Sequence, residues 1–281
     1  MLILHASDLQ VGKPYRPDRT EALLALARQL EPDLVVISGD LTQRAKKREY
    51  AVVQALLERL SAYPVVVTPG NHDVPLYRVW ERVFAPYANW RHYVGADLDV
   101  VRVLPGAVVV ALNSSAPRRA IVSGRIRRRQ VELARSAFRD APEGAVRVVV
   151  IHHHFLPTPD HAGGRTLPGA ARILSELEAM GVDLVLGGHV HQTHLTTSRA
   201  LVPGEGPGIP IVTCGTTASW RGRSDEAGLN TLNVVRVGAE RIEVTPHRYD
   251  ESAGRFTPLT STSFVRPGVR GVHAPAEREA R

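Results

Sequence analysis

Five apolar runs in the sequence are each followed by side chains that could bind a metal ion or transfer a proton. The third run, at residues 64–68, ends in a Pro-Gly pair and is followed directly by Asn71, His72 and Asp73. An amide oxygen can bind a hard cation, an imidazole can move a proton, and a carboxylate can orient that imidazole. The other four runs are followed by residues of the same kinds: Asp8 and Gln10, then Asp40, then His152, His153 and His154, and finally His189 and His191. These residues predict metal-dependent chemistry.

The apolar runs themselves predict the buried strands of an α/β fold. Each run is short and aliphatic, which suits a strand covered on both faces. Between them, apolar residues recur at helical spacing at about 20–30, 48–60 and 170–180. Ligands of open α/β sheets gather beyond the carboxyl ends of the strands, so the five turns could share one crevice. Later runs predict antiparallel strands that complete a second sheet, at 195–201, 209–214, 230–237 and 242–247.

Length and composition are those of an ordinary globular enzyme. The chain has 281 residues, of which 43% are hydrophobic and 22% are charged, so it can bury a full core. We expect one catalytic domain at 1–250 and an irregular polar tail at 251–281. The single cysteine, Cys214, excludes an intramolecular disulfide framework and suits a reducing compartment. No apolar run resembles a signal peptide or a membrane span, so we expect a cytoplasmic protein without membrane contact.

The net charge of +7 is carried almost entirely by arginine, because only three lysines are present. Arginine favours phosphate and carboxylate partners, but the arginines are scattered along the chain, which indicates mild steering of an anionic substrate. The arginines at 118–129 are expected to face solvent at the start of a helix. The aromatic residues at 77–90 follow near-helical spacing and are expected to pack in the core. Charge alone does not favour nucleic acid as a partner, and the sequence does not indicate an oligomeric state.

The candidate residues fall into five blocks that occur in a fixed order. The blocks are Asp8, Gly39-Asp40, Gly70-Asn71-His72-Asp73, His152 and Gly188-His189-Val190-His191. Their order and spacing resemble the calcineurin-like metallophosphoesterase superfamily, and within it the class III cyclic nucleotide and glycerophosphodiester phosphodiesterases. The resemblance implies a four-layer αββα sandwich of two mixed sheets flanked by helices. It also implies a metal-dependent phosphodiesterase acting on a small molecule, such as a cyclic nucleotide, a glycerophosphodiester or a nucleotide derivative.

The resemblance assigns a role to each ligand-type residue. It implies two divalent ions that clamp a phosphate and activate a water between them, with Asp40 as the shared ligand. The first ion would take Asp8, Gln10, Asp40 and His191, and the second would take Asp40, Asn71, His152 and His189. His72 would protonate the leaving oxygen or stabilise its charge, with Asp73 holding the ring. Oxygen and imidazole donors without a thiolate favour manganese or iron, with zinc as an alternative.

Three further residues are candidate substrate contacts, and one ligand departs from the family pattern. Three successive histidines cannot all point into one site, so His153 and His154 contact either the ligands and substrate or the interior. Arg221 could meet a phosphate or lie on the surface. The family usually has Asp-x-His in its first block, whereas this chain has Gln10 in place of that histidine. An amide oxygen is a weaker donor than imidazole, so the first ion would be held less tightly.

The residues leave two alternative functions open. A phosphoesterase-type DNA exonuclease shares these blocks, and it would need a continuous basic path for the polymer, which scattered arginines do not establish. A scaffold protein with a decayed metal site is the other alternative, because fold does not fix function. His72 and both histidines of the last block argue against decay. We therefore favour an enzyme with a small phosphorylated substrate.

Overall fold

Two mixed β-sheets pack face to face at the centre of the fold. The structure is a computed structural model, and it describes residues 1–119, 122–157 and 165–267. The first sheet contains β1 (Leu2–Ala6), β2 (Leu34–Ile37), β3 (Val65–Val67), β10 (Thr231–Val237), β11 (Arg241–Asp250), β12 (Arg255–Pro258) and β13 (Thr262–Val265). Its order is β12-β11-β10-β1-β2-β3, with β13 also paired to β11. Strands β1, β2 and β3 are parallel, whereas β10 runs antiparallel to β1.

The second sheet has a parallel centre and antiparallel edges. It contains β4 (Val100–Leu104), β5 (Ala107–Leu112), β6 (Val146–Ile151), β7 (Leu184–Gly187), β8 (His194–Thr197) and β9 (Pro210–Thr213). Its order is β4-β5-β6-β7-β9-β8. Strands β5, β6, β7 and β9 are parallel, and β4 and β8 are the antiparallel edges. Parallel pairing brings the carboxyl ends of β6 and β7 to the same edge of the sheet.

Helices cover the outer faces of both sheets. Helices α1 (Pro17–Leu30) and α2 (Lys47–Arg59) pack on the first sheet, and α5 (Arg128–Arg139) and α6 (Ala170–Ala179) pack on the second. Two short helices, α3 (Val79–Phe84) and α4 (Ala88–Tyr93), follow β3. The predicted four-layer αββα sandwich of two mixed sheets flanked by helices is therefore confirmed. In the part of the chain that the structure describes, no helix is long and apolar enough to cross a membrane.

The side chains of β6 show how the sequence builds these layers. Val148 and Val150 pack between the two sheets, whereas Val149 and Ile151 pack under α5 and α6. All four side chains are at most 1% exposed. Successive side chains of a strand point to opposite faces, so a strand covered on both faces reads as a continuous aliphatic run. The result is a rigid strand that carries His152 at its carboxyl end.

The aromatic residues at 77–90 divide between the core and the surface. Tyr87 and Trp90 are buried, as predicted. Tyr77, Trp80 and Phe84 are 71%, 78% and 70% exposed, so the prediction that they pack in the core is wrong. Helix α3 is six residues long and buries none of its side chains. The aromatic spacing matches a helix, but that helix lies on the surface.

The chain after residue 250 is more regular than its sequence predicts. Strands β12 and β13 lie in the stretch predicted to be an irregular tail, and both pair with β11. Because β11 satisfies their backbone groups, a polar sequence with weak periodicity is sufficient for these strands. Phe256 is 5% exposed and packs edge-on against Tyr249, with ring centroids 5.5 Å apart. The prediction of an irregular tail is wrong for 255–265, and residues 268–281 lie outside the described residues.

The substitution Phe256→Ala tests whether β12 contributes to the fold. We expect the free energy of unfolding to fall by about 3 kcal/mol, because a buried ring is removed and a cavity is left. Urea denaturation followed by circular dichroism measures the change. The control is Leu259→Ala, at a residue 42% exposed, which should change that free energy by less than about 0.5 kcal/mol. Equally small effects from both substitutions would contradict the packing of β12.

Candidate metal centre

The turns after five strands bring the predicted ligands together. Asp8 and Gln10 follow β1, Asp40 follows β2, Asn71 follows β3, His152 follows β6, and His189 and His191 follow β7. Five of these seven residues have φ between +49° and +78°: Asp8, Gln10, Asp40, His189 and His191. Residues other than glycine rarely adopt this left-handed conformation, which costs about 1 kcal/mol or more each. Its concentration in these turns is typical of a functional site.

Two glycines allow the ligand-bearing turns to approach one another. A Cβ atom at Gly70 would overlap the carboxylate and the backbone nitrogen of Asp40. A Cβ atom at Gly188 would overlap Ser7 Oγ and the Asp8 carboxylate. A side chain at either position would therefore push one ligand-bearing turn away from another.

The first half of the site consists of the turns after β1 and β7. There, lone pairs of the Asp8 carboxylate and the His191 imidazole point at each other. His191 Nδ1 donates a hydrogen bond to the Arg221 carbonyl oxygen at 2.7 Å, so Nε2 is the lone-pair nitrogen of the neutral ring. This Nε2 lies 3.1 Å from Asp8 Oδ1, a buried oxygen that accepts no hydrogen bond from the described residues. Asp8 Oδ2 is held by hydrogen bonds from Ser7 Oγ at 2.6 Å and His189 N at 3.0 Å. Facing lone pairs in the interior require a proton or a cation between them.

The second half of the site repeats this arrangement. His152 Nδ1 donates to the Ser38 carbonyl oxygen at 2.8 Å, which leaves a lone pair on Nε2 of the neutral ring. That Nε2 lies 3.2 Å from Asn71 Oδ1 and 3.4 Å from Asp40 Oδ1. His189 Nδ1 is 2.9 Å from the same Asn71 oxygen. Several donor atoms therefore converge on a second position that a cation would satisfy.

Asp40 lies between the two halves and is fully buried. Its Oδ1 accepts a hydrogen bond from His72 N at 2.8 Å, and its Oδ2 is 3.4 Å from the Gln10 amide nitrogen. Ligand atoms of Asp8, Asp40 and His191 all lie within 4.8 Å of one another. The seven ligand residues offer oxygen and imidazole donors without a thiolate, a set that suits divalent ions such as manganese, iron or zinc. The residues therefore fit a metal centre in which Asp40 is positioned to be shared.

Burial and charge shift the pKa values of the ligands in different directions. Burial lowers the pKa of His189 well below its ordinary value, and the neighbouring histidines lower it further. Burial also lowers the pKa of His152, but the Asp40 and Asp8 carboxylates outweigh it and the net shift is upward. Burial raises the pKa of Asp8, but His191 and its other partners outweigh it, and the pKa is lowered overall. Asp8 is therefore held charged and His189 neutral, which are the forms that bind cations, whereas the Asp40 and Asp8 carboxylates favour a proton on His152 that a bound cation would replace.

His72, the predicted catalytic residue, lines a cavity of about 560 Å³ that opens on the ligands. Its Nδ1 donates to the Gln43 carbonyl oxygen at 3.0 Å, and its Nε2 accepts a hydrogen bond from the Arg221 guanidinium at 3.2 Å. Nε2 also lies 4.0 Å from Asp40 Oδ2. A carbonyl and a guanidinium therefore orient the ring beside the metal ligands.

Asp73 does not hold the His72 ring, so that part of the prediction is wrong. Its carboxylate accepts hydrogen bonds from the backbone nitrogens of Leu41, Thr42 and Gly70 at 3.1, 2.8 and 2.9 Å. Burial and the nearby Asp40 raise the pKa of Asp73 to about 7. Asp73 therefore fastens the turn after β3 to the turn after β2, and it acts on the site through the backbone.

Gln10 lies among the ligands but turns its amide nitrogen towards them. This nitrogen is 3.1 Å from His191 Nε2 and 3.4 Å from Asp40 Oδ2. The amide oxygen accepts a hydrogen bond from Ser219 Oγ at 3.4 Å, and from Gln43 at 3.2 Å when the Gln43 amide is oriented to satisfy its own neighbours. The predicted ligand oxygen therefore points away from the site. Binding through it would require the amide to rotate by half a turn.

The three predicted substrate contacts lie in different positions. His153 is 1% exposed, its Nδ1 is 2.7 Å from Ser114 Oγ, and its ring packs on His189. His154 lines the cavity, and its ring stacks on His189 with centroids 5.4 Å apart. Arg221 lines the same cavity. His154 and Arg221 are therefore placed for substrate contact, whereas His153 packs behind His189, a predicted ligand.

Sequence reasoning misses two arginines of this cavity, Arg44 and Arg165. Arg44 Nη1 lies 3.5 Å from His72 Nδ1, and its guanidinium lies over the Tyr77 ring, 4.8 Å from the centroid. Its position only four residues after Asp40 is a signal that could have identified it. Arg165 lies far from every ligand block in the sequence, so no comparable signal exists for it.

The layered fold and the two-part set of oxygen and imidazole donors define a metal-dependent hydrolase of the phosphoesterase class. The model of the calcineurin-like phosphoesterase family matches residues 1–193. The chain therefore belongs to the calcineurin-like phosphoesterase family. The predicted family and the predicted metal-dependent phosphoesterase function are confirmed.

Similar proteins include two bacterial relatives. The chain is 27% identical over 256 residues to a probable cyclic nucleotide phosphodiesterase of Rhodococcus erythropolis, covering 83% of this chain and 79% of that protein. It is 28% identical over 283 residues to a cAMP/cGMP dual specificity phosphodiesterase of Mycobacterium tuberculosis, covering 91% and 82%. The crystal structure of a dimetal phosphatase from Danio rerio matches with a TM-score of 0.62 over 95% of this chain and 99% of that chain. The identity to that structure is 12%, so this match shows the fold alone.

The substitution Gly70→Ala tests the close approach of the turns after β2 and β3. We expect metal affinity to fall about tenfold or more, because the new methyl group displaces Asp40 from its ligand position. Elemental analysis after reconstitution with manganese and dialysis measures the change. Gly95→Ala is the control, because a Cβ atom there would meet nothing within 4 Å. Metal content equal to the wild type in Gly70→Ala would contradict the described geometry.

Proposed function

We propose that this chain hydrolyses small phosphodiesters with the help of two divalent metal ions. The observation that carries the proposal is the pair of buried contacts in which Asp8 faces His191 and Asn71 faces His152 with lone pairs. Bound divalent ions supply an activated water and neutralise charge on the phosphate. Manganese or iron suits the donor set best, with zinc as an alternative. The names of the two bacterial relatives, a probable cyclic nucleotide phosphodiesterase and a cAMP/cGMP dual specificity phosphodiesterase, support the proposal.

The residues of the cavity bind and orient the phosphate. Arg221 and Arg44 flank His72 on its two ring nitrogens. A phosphate oxygen accepts strong, charge-assisted hydrogen bonds from guanidinium groups. When Arg221 turns to the substrate, His72 Nε2 can take up a proton released by the attacking water, and the protonated ring would stabilise charge on the leaving oxygen or donate that proton to it. The Gln43 carbonyl oxygen keeps the ring in position.

The scaffold alternative is less consistent with the details of the turns. A chain that no longer binds metal would gain stability by relaxing its left-handed residues and by filling Gly70 and Gly188. This chain keeps both features together with all five blocks of ligand-type residues. These observations support an enzyme.

The substitution His72→Ala separates catalysis from metal binding. We expect kcat/KM for 3′,5′-cyclic AMP to fall about 100-fold and that for bis(4-nitrophenyl) phosphate about tenfold, because nitrophenolate needs less help to leave than an alkoxide. Metal content should stay that of the wild type, whereas Asn71→Ala should lose metal as well as activity. Steady-state kinetics and elemental analysis measure both properties. His92→Ala is the control, and wild-type rates in His72→Ala would refute this role.

The substitution Gln10→His tests the departure from the usual family pattern. We expect the variant to retain manganese at chelator concentrations about tenfold higher than the wild type does, since imidazole is the better donor. Dialysis against increasing chelator, followed by elemental analysis, measures retention. Gln10→Ala is the comparison. Equal retention by all three proteins would mean that residue 10 does not reach a bound ion.

A further inference from the structure

Residues 76–87 and the described parts of a second segment, 113–119 and 122–129, form the wall between two cavities. Leu76, Tyr77 and Val122 line the cavity at the metal centre. Phe84 and Arg118, from the same two segments, line a second cavity of about 510 Å³. Arg118 Nε donates a hydrogen bond to the Val83 carbonyl oxygen at 2.8 Å and ties the segments together. The two cavities are therefore neighbours on one face of the molecule.

Several arginines line each of the two cavities. The metal-site cavity contains Arg44, Arg165, Arg221 and Arg223, and the second contains Arg91, Arg118, Arg119, Arg125, Arg127 and Arg129. Within residues 1–119, 122–157 and 165–267, none of these ten pairs with a carboxylate. Asp99, the one carboxylate lining the second cavity, accepts hydrogen bonds from Asn113 N at 2.8 Å and Gln130 Nε2 at 2.6 Å. The fold thus brings arginines that are scattered in the sequence close together. Their combined positive charge exceeds the single negative charge of one phosphodiester.

Three exposed aromatic side chains stand on the wall between the cavities. Tyr77, Trp80 and Phe84 are all at least 70% exposed. Trp80 and Phe84 stack with ring centroids 5.6 Å apart and an angle of 11° between their planes. Helix α3 buries none of its side chains, so Trp80 and Phe84 do not support the core. Large exposed rings grouped in this way are typical of a binding surface.

Arginine-lined cavities separated by exposed rings match the chemistry of single-stranded nucleic acid. Its phosphates bind guanidinium groups, and its unpaired bases stack on aromatic side chains. We infer that this face binds short single-stranded oligonucleotides and places one of their phosphodiesters at the metal centre. A lipid surface presents its charge in a plane, whereas these arginines line concave cavities of the size of ligand pockets.

The placement of a phosphodiester at the metal centre rests on the proposed function and narrows its substrate class. Hydrolysis adds water across one P–O bond of the backbone. The hydroxyl oxygen of water joins phosphorus, the bond to one sugar oxygen breaks, and that sugar oxygen takes the remaining proton. The products are a phosphomonoester end and a free sugar hydroxyl.

Fluorescence anisotropy of a labelled eight-nucleotide oligothymidylate, measured with the manganese-loaded protein at several salt concentrations, tests the surface. We expect log K to fall with log salt with a slope of about −3, at about 0.7 per phosphate contact. The double substitution Arg119→Ala with Arg125→Ala should weaken binding about tenfold or more and make the slope shallower by about 1.4. Trp80→Ala with Phe84→Ala should weaken binding about tenfold with the slope unchanged. Gel analysis of parallel samples identifies the interval before cleavage of the probe, and the anisotropy is read within that interval.

Arg255→Ala is the matched control, because Arg255 is an exposed arginine on β12 at the far edge of the first sheet. It should change neither the affinity nor the slope. Thermal melting confirms that every variant is folded. Unaltered binding in both double variants would overturn the inference. Arginine-dependent binding without an aromatic effect would also overturn it, since it would indicate a polyanion site without base stacking.

Turnover of bis(4-nitrophenyl) phosphate by the wild type separates this inference from the proposed function. Turnover without oligonucleotide binding would overturn the inference and leave the function standing. Salt-sensitive oligonucleotide binding without turnover would refute the function and keep the binding surface. The protein could instead sediment with phosphatidylglycerol vesicles, lose this property in the same double variants, and fail to bind the oligonucleotide. That result would overturn the inference in favour of a lipid surface. Release of labelled mononucleotide by the wild type, and about 100-fold slower release by His72→Ala, would support both halves of the inference.

Discussion

Electron-rich atoms held against one another in the interior are the constraint on which this structure depends. Asp8 faces His191, and Asn71 faces His152, so that each contact needs a proton or a cation between its two electron-rich atoms. Such contacts oppose folding, because buried lone pairs lose their hydrogen bonds to water. The strands behind them supply the opposing free energy, since β6 and its neighbours bury aliphatic side chains on both faces. The positions of the ligand atoms therefore depend on the packing of the hydrophobic layers that carry them.

The order of the ligand-bearing turns and the layered fold could be predicted from the sequence, because each depends on a local pattern of an aliphatic run followed by a ligand. The role of Asp73 could not, because its partners Leu41 and Thr42 lie in the turn after another strand. The orientation of the Gln10 amide depends on Ser219, which is distant in the chain. Ring and amide orientations in this site are thus set by contacts between turns, which sequence spacing does not record.

The spacing of residues along the chain can predict a helix or a strand without predicting whether that element is buried. The aromatic residues at 77–90 have helical spacing, yet α3 lies on the surface while Trp90 of α4 is buried. The opposite error concerns β12 and β13, whose sequences are polar but whose partner β11 supplies a regular edge. In both cases the neighbouring element decides the outcome. The arginines follow the same rule, since only the fold brings Arg91 to the cavity lined by Arg118, Arg119, Arg125, Arg127 and Arg129.

Strand β1 carries the first ligands of the site but completes its pairing late in synthesis. One of its edges pairs with β2 and the other with β10, at residues 231–237. Strands β1, β2 and β3 can pair through consecutive β-α-β units as soon as they leave the ribosome, whereas the second edge of β1 stays open until most of the chain has emerged. Because Asp8 and Gln10 follow that strand directly, the metal centre reaches its final shape as one of the last events of folding. Until β10 is made, the second edge of β1 is an unpaired strand edge, the kind of edge at which unfinished chains can pair with one another.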